Sequence, residues 1–498
     1  MMFSFLKDKP GASKLEHPMV IGMLIFATIV LGIIIAKGGL IVAVALVGLF
    51  PIIIYFNRFL NEPRIGIYTI IILGFIAIGL TRYIQNVPFG LTVDGFLVLT
   101  YVSVFFRYFY SKLDWQQANR DLTYLSIIWF AYTILELFNP EVLSRTAWFY
   151  AMRGISLYML LMIPVGLMIF NRLRFLYIFL YMWGAFSILG TIKGLQQIYI
   201  GPDYAEQFWL DTIGGVTHII FGELRAFSFF SDAGQFGAAQ GAAGTVGLLI
   251  AMNIKGFHNK VFFTTMGVMG LWGMMISGTR GAMIVPMVGG VTYIAHRKNF
   301  RAMVIGGLTL ALVYAFFAYT YIGQSNSQIR RMRTAFVPEE DASYLVRLEN
   351  RRILSGYLTS RPFGGGIGSA GDWGKRFSPQ GFLAQVATDS WYVQIWAEQG
   401  IIGLILHLFI LGYILIKGSF LIMFRIKSPE LKGIMSALMC GFTGIMGASY
   451  GNGVLGQMPT GILIYLSWVF VFVGQQLDRE YIYLVAKNIN PWSLKSKT

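Results

Sequence analysis

The sequence predicts an all-α, polytopic membrane protein with about 14 transmembrane helices, and three observations carry that prediction. Of 498 residues, 56% are hydrophobic and 16% aromatic, only 12% are charged, and the mean hydropathy is +0.63. Water-soluble domains of ordinary composition do not have this balance. Apolar stretches recur along the whole chain, many close to the roughly 20 residues that cross a bilayer core of about 30 Å. The lysines and arginines between them fall on alternating sides, as expected when short cytoplasmic loops are enriched in basic residues.

Taken in order, the expected crossings are residues 19–36, 39–56, 66–82, 90–106, 122–138, 154–171, 174–193, 236–254, 261–276, 281–295, 302–321, 397–416, 433–448 and 459–475. With Lys7, Lys9 and Lys14 inside, alternate exits carry Arg58 and Arg64, then Arg107, Lys112 and Arg120, then Arg172 and Arg174. The pattern continues to Arg479, Lys487, Lys495 and Lys497, so both termini are expected in the cytoplasm. The first apolar run is too long for a removable signal peptide, and a second span follows at once. Cys440 is the one cysteine and lies in an expected span, so no internal disulfide is expected. The net charge of +16 is spread over loops facing anionic lipid, so membrane lipids and not nucleic acid are the expected partners.

The chain reads as a single transmembrane domain, 1–498, with two long outer loops. The first, 194–235, sets Asp203, Glu206, Asp211, Glu223 and Asp232 against Arg225. The second, 322–396, is too long for a passive connection and is expected to carry function. Within it Ala342–Thr359 reads as an amphipathic helix resting on the membrane. Leu345, Leu348 and Ile353 or Leu354 give it an apolar stripe, and Arg347 and Arg351 share a face at i,i+4 spacing. The turn from Arg361 to Gly366 ends it, because proline and consecutive glycines cannot continue a helix.

The spans are nearly free of charge. Asp94 and Glu136 fall near predicted ends, and this scarcity argues against an ion-coupled pump, which keeps ionisable groups near the midplane. Charge gathers on the outer side instead. Arg225 sits among aromatic residues just ahead of the eighth span; its alternative reading is an ion pair with Glu223 or Asp232. Arg280 occupies the turn Ser277-Gly278-Thr279-Arg280-Gly281, where it either meets an anion or reaches water from the interface. Asp389 precedes the twelfth span, in a place that suits a helix cap as well as a base. No carboxylate pair and no histidine or cysteine cluster suggests a metal, so metal-independent chemistry without a cofactor is expected.

These segments together resemble the O-antigen ligase and polymerase superfamily, the Wzy/WaaL group. The residues that carry the resemblance are Arg225, the Ser277–Gly281 turn, Arg347 with Pro362-Phe363-Gly364-Gly365-Gly366, and the stretch from Tyr392 through Glu398 and Gly400 to Gly403. The likeness covers about 220–410 and implies a GT-C-like membrane glycosyltransferase. The chain departs from the family pattern at Asp389, where the family has a histidine taken as the base. Aspartate, with an ordinary pKa near 3.9, is a weak base unless buried. His218 is the one histidine in an outer loop and the reserve candidate.

The resemblance implies transfer of a glycan from undecaprenyl diphosphate to an acceptor hydroxyl, at the periplasmic face of a bacterial inner membrane. Arg225 and Arg280 would then grip the diphosphate, and Asp389 would orient or deprotonate the acceptor. Arg347 and Arg351 would hold a donor or acceptor glycan, with Tyr392, Trp391 and Trp373 as flat faces for sugar rings or as interfacial anchors. Direct displacement would invert the anomeric centre. The acceptor expected is lipid A–core, as for a ligase; a repeat-unit polymerase and a protein O-oligosaccharyltransferase share the same motifs. A lipid-linked glycan flippase or exporter is the reading from another class, but it needs basic groups along a transmembrane path.

Overall fold

The structure, a computed structural model, describes residues 18–84, 87–110, 115–220, 222–325, 327–333, 336 and 342–492. Of the basic residues assigned above to the inner face, Lys7, Lys9, Lys14, Lys112, Lys495 and Lys497 lie outside the described residues.

Every expected crossing lies in helix. The first two are one run, Pro18–Asn61, interrupted at Gly39 with φ +66°. Seven helices among the described residues are long and apolar enough to cross a membrane: Pro63–Leu80, Phe89–Arg107, Asp121–Phe138, Arg145–Ile169, Leu173–Tyr199, Trp391–Arg425 and Pro429–Ala448. Thr460–Phe472 and Gly474–Ala486, bent by 64°, make an eighth if they form one span. Length and composition alone thus support seven or eight crossings. The other expected spans are helices that are shorter, like Met303–Tyr319, or diluted by small residues, like Ala233–Asn253.

Glycine and alanine in that last helix are what the packing uses. Ala233–Asn253 starts where the Asp232 carboxylate accepts the Gln235 N–H at 2.9 Å, and most of its residues are buried. It runs against Phe257–Ile276 with backbone on backbone: a Cβ on Gly270 would lie 2.5 Å from the Gly244 nitrogen. Small residues at a helix interface allow that approach. Ile284–Arg297 and Pro429–Ala448 pack against Ala233–Asn253 and against each other, completing the centre of the molecule. The short connection between the Phe257–Ile276 and Ile284–Arg297 helices carries Arg280.

Charges near the span ends are paired. Asp94 accepts from Arg153 and, at 2.7 Å, from the Tyr158 hydroxyl, while Glu136 accepts from Asn139 at 2.9 Å. Outside the helical body, Ile219–Ile220 and Glu223–Leu224 form a two-stranded antiparallel hairpin with Ile219 opposite Leu224.

The Ala342–Leu358 helix of the long loop docks by its C-terminal half. Leu354 and Leu358 are buried with Ala370, Leu383 and Ala397, whereas Leu345 and Leu348 stay 52% and 42% exposed. The apolar stripe expected from the sequence is therefore split, because only the end nearest the Pro362–Gly366 turn buries its leucines, while the other half meets the body through polar contacts of Arg347 and Asn350. That turn is organised by Glu398, whose Oε1 accepts the N–H groups of Gly368 at 3.1 Å and Ala370 at 3.2 Å. The N–H groups of Gly365 and Gly366 donate in turn to the carbonyls of Ala397 and Glu398, each at 2.9 Å.

Candidate functional site

The hairpin and the two central helices bring Arg225 to the Ser277–Arg280 turn. The Arg225 N–H donates to His218 O at 2.9 Å, which fixes the residue at the hairpin's exit. Its guanidinium reaches across 52 and 54 positions to donate from Nε to Ser277 O at 3.2 Å and from Nη2 to Thr279 Oγ1 at 2.8 Å. Nη1 donates to Thr217 O at 3.1 Å. The Thr279 hydroxyl donates to Ala233 O at 2.8 Å, so turn, arginine and helix start are one hydrogen-bonded unit. Gly278 takes φ +57°, a conformation that glycine adopts without strain. A Cβ there would meet Arg331 Cδ at 3.4 Å and Arg225 Cγ at 3.6 Å, so two arginine side chains pass over this glycine.

Arg331, in the helix Ser327–Arg333, is the residue that sequence reasoning missed. Its neighbours in the same run behave differently: Arg330 is exposed, and Arg333 turns back to Gln324 and Ile322 O. Burial first, then the charge of Arg331 and to a lesser degree that of Arg280, lower the Arg225 guanidinium to about 10 against the pull of Asp232. Arg331 is lowered by burial and then by Arg280, with Glu223 opposing. Three cations thus share one electrostatic neighbourhood. A polyanion bound there turns their mutual repulsion into attraction.

The segment after Arg225 is clamped from below. Arg82, buried just past the Pro63–Leu80 helix, donates to Ser228 O at 2.7 Å and to the carbonyls of Phe230 and Ser231, and stacks over Trp209 and Phe227. Gln197 Oε1 accepts the N–H groups of Phe227 at 3.1 Å and Ser228 at 2.8 Å. Ser228 has φ +53°, and such a non-glycine conformation persists where its surroundings impose it. His218 is buried beside this clamp. Its Nδ1 lies 2.9 Å from Gly214 O, and burial, helped by Arg225 and Arg82, lowers its pKa and keeps the imidazole neutral.

A second group of residues gathers around Asp389. Its carboxylate Oδ2 lies 3.4 Å from Arg347 Nε. Asp389 does not cap the following helix. The cap position belongs to Ser390, whose hydroxyl donates to Ser449 O, and the Trp391 N–H goes to Ser449 O at 3.1 Å. Arg351 donates to the Tyr450 hydroxyl at 2.6 Å and stacks over that ring at 4.5 Å. Trp391 is buried, with its indole N–H on His407 Nε2 at 3.0 Å, and its ring borders the cavity beside Asp389. Tyr392 is half-buried and donates to Met446 O at 2.8 Å.

The turn after Ala448 joins the two groups. The Asn452 carbonyl accepts from the Trp391 N–H at 3.4 Å, and its side chain reaches the backbone of Gly281, where an added Cβ would lie 2.7 Å from Nδ2. Asn452 thus touches Trp391, two residues after Asp389, and Gly281, the residue after Arg280. Nothing in the sequence singles out this Gly- and Asn-containing turn beyond its being a turn.

The geometry offers a polyanion grip at the Arg225–Arg280–Arg331 cluster, and separately a half-exposed Asp389 carboxylate paired with Arg347. No curated protein matches this chain. Residues 265–408 match the family model described as O-antigen ligase, a stretch that holds Arg280, Arg331, Arg347, Arg351 and Asp389 and excludes Arg225 and the Tyr450 turn. Members of that family are membrane proteins of the glycosyltransferase type. With its helical, multi-span body, this chain carries in residues 265–408 a segment similar to the O-antigen ligase family, which supports its likeness to the O-antigen ligase and polymerase superfamily.

Proposed function

We propose that the protein transfers a glycan from a polyprenyl diphosphate, undecaprenyl diphosphate in a bacterial inner membrane, to an acceptor hydroxyl at the periplasmic face. The observation that carries this reading is the convergence of Arg225, Arg280 and Arg331 at the Gly278 turn. A diphosphate leaving group spreads its charge over several oxygens, and guanidinium groups bind such oxygens bidentately without losing their proton.

In this scheme the acceptor oxygen attacks the anomeric carbon, and the carbon–oxygen bond to the diphosphate breaks with its electron pair on the leaving group. The three arginines stabilise the charge that develops there. The acceptor proton passes to Asp389, which Arg347 orients and no helix end engages. Attack opposite the leaving group inverts the anomeric centre. Arg351, held on Tyr450, keeps the loop helix over the site. The acceptor we favour is lipid A–core, because the N-terminal half of the loop helix leaves Leu345 and Leu348 exposed beside Arg347, which would let a partner embedded in the same leaflet reach Asp389.

Reconstitution in proteoliposomes with a labelled lipid-linked glycan and a lipid A–core acceptor tests this. Release of polyprenyl diphosphate together with a glycosylated acceptor is expected. Movement of intact lipid-linked glycan across the bilayer, without bond cleavage, would make the protein a flippase and remove the reading.

A further inference from the structure

A cavity of about 450 Å³ lies beside Asp389, within the range of roughly 300–1,000 Å³ usual for small-molecule sites. Its lining differs in kind from the arginine cluster. Tyr150 and Trp373 border it, and their rings stack 4.9 Å apart at 18°, with Phe377 parallel to Tyr150 at 5.5 Å. Arg153 lines it too, but that charge is already met by Asp94 and stacked over Tyr150. Lys375 and Asp372 add one charge of each sign, and Asp389 brings its own partner, Arg347. Among the described residues, Arg225, Arg280 and Arg331 are not part of this lining. Such a balance suits a neutral polyhydroxylated ligand, not a diphosphate.

Two further observations point the same way. Gln457, a lining residue, has a buried Oε1 with no hydrogen-bond partner among the described residues. A buried amide oxygen without a donor is destabilising, and a ligand hydroxyl would supply that donor. Arg153–Leu157, which forms one wall, is a π-helical turn inside an otherwise α-helical span. Single π turns of this kind recur at functional sites, where they turn side chains that a regular helix would aim elsewhere.

We propose that this cavity is a saccharide subsite, which seats a sugar ring of the acceptor against the Tyr150–Trp373 aromatics with a hydroxyl at Asp389. The inference rests on the transfer reading above and names where its acceptor sits. The C–H face of a pyranose ring packs on an aromatic face, while Gln457 and Arg153 address the hydroxyls at the edge. Placing the acceptor here, and the diphosphate at the arginines, puts nucleophile and leaving group on the two sides of the Asn452 turn.

The test is equilibrium binding of two soluble oligosaccharides to the full chain in nanodiscs. One is the delipidated core oligosaccharide of lipopolysaccharide, and the other is the glycan cleaved from the lipid-linked donor. We expect at least one to bind, with affinity lowered about tenfold or more by Trp373→Ala and by Gln457→Ala and restored by Trp373→Phe. Saturating the nanodisc with intact lipid-linked donor should leave that binding in place. Thermal unfolding of each variant confirms that it is folded. Binding unchanged in both variants overturns the proposal, as does no binding of either oligosaccharide to the wild type. Displacement by the donor overturns it as well, because the cavity then holds the donor's own glycan. Donor cleavage is followed in parallel: wild type that releases no polyprenyl diphosphate sinks the transfer reading, whatever the cavity binds, whereas normal release with indifferent variants sinks the subsite alone.

Discussion

Arg347 and Asp389, 42 positions apart, meet with Nε 3.4 Å from Oδ2 and tie the loop helix to the entrance of the Trp391–Phe420 helix. Their side chains are 33% and 50% exposed, so the pair contributes only about 0–1 kcal/mol to stability. Asp389→Asn should therefore leave the unfolding midpoint nearly unmoved while lowering single-turnover transfer about 10²–10⁴-fold, the range expected for loss of a positioned base. A parallel fall in midpoint and rate would return Asp389 to a structural role.

Removing any one arginine of the cluster should slow transfer about 10²–10³-fold. The variants should differ in stability, because Arg225 also holds Ser277 O, Thr217 O and Thr279 Oγ1. Arg225→Ala is expected to lose both rate and midpoint, and Arg331→Lys to recover only part of the rate, since an ammonium cannot bind two oxygens as a fork. Turnover and thermal unfolding measured on the same preparations separate the two effects. Full turnover in Arg331→Ala would take that residue out of the diphosphate site.

Glu398→Ala leaves the Gly368 and Ala370 N–H groups buried without their acceptor, at a cost of about 1–3 kcal/mol each. Glu398→Gln keeps an oxygen in place and should recover most of that stability. Limited proteolysis between Arg361 and Ala370 reads the difference; equal protection in both variants would mean the turn does not depend on Glu398.

His218 gives a pH signature. Burial lowers its folded-state pKa below the ordinary 6.5, so the unfolded chain binds the proton more readily. Stability from this residue is complete above about pH 6.5 and is lost as pH falls through the lowered value. Between pH 7.5 and 5 the unfolding midpoint of wild type should fall more steeply than that of His218→Gln. Parallel curves would show that this imidazole does not carry the dependence.

Hydropathy made the helices and their order legible, because a bilayer imposes length and apolarity on every span. Among the described residues seven or eight helices stand out by length and apolarity, and the Gly- and Ala-rich Ala233–Asn253 helix is instead packed along most of its length. Arg225 and Arg280 could be found as isolated charges between apolar segments. Arg331 could not, because Arg330, Arg331 and Arg333 look alike in sequence and only the fold decides which of them passes over Gly278. Arg82 reads as an ordinary charge at a span end, although it anchors three carbonyls of the segment behind Arg225. The Tyr450 turn was invisible for a further reason: its role arises from contacts with residues 59 to 99 positions earlier.

The seam between Gly244 and Gly270 has a mechanical corollary. Where two main chains touch with no side chain between them, the helices cannot slide or splay without breaking contact along their length. Arg225 and the turn before Arg280 sit at the same end of that seam and so move as one stiff anvil. Compliance belongs instead to the 342–358 arm, held to the body by Leu354, Leu358 and the polar contacts of Arg347 and Arg351.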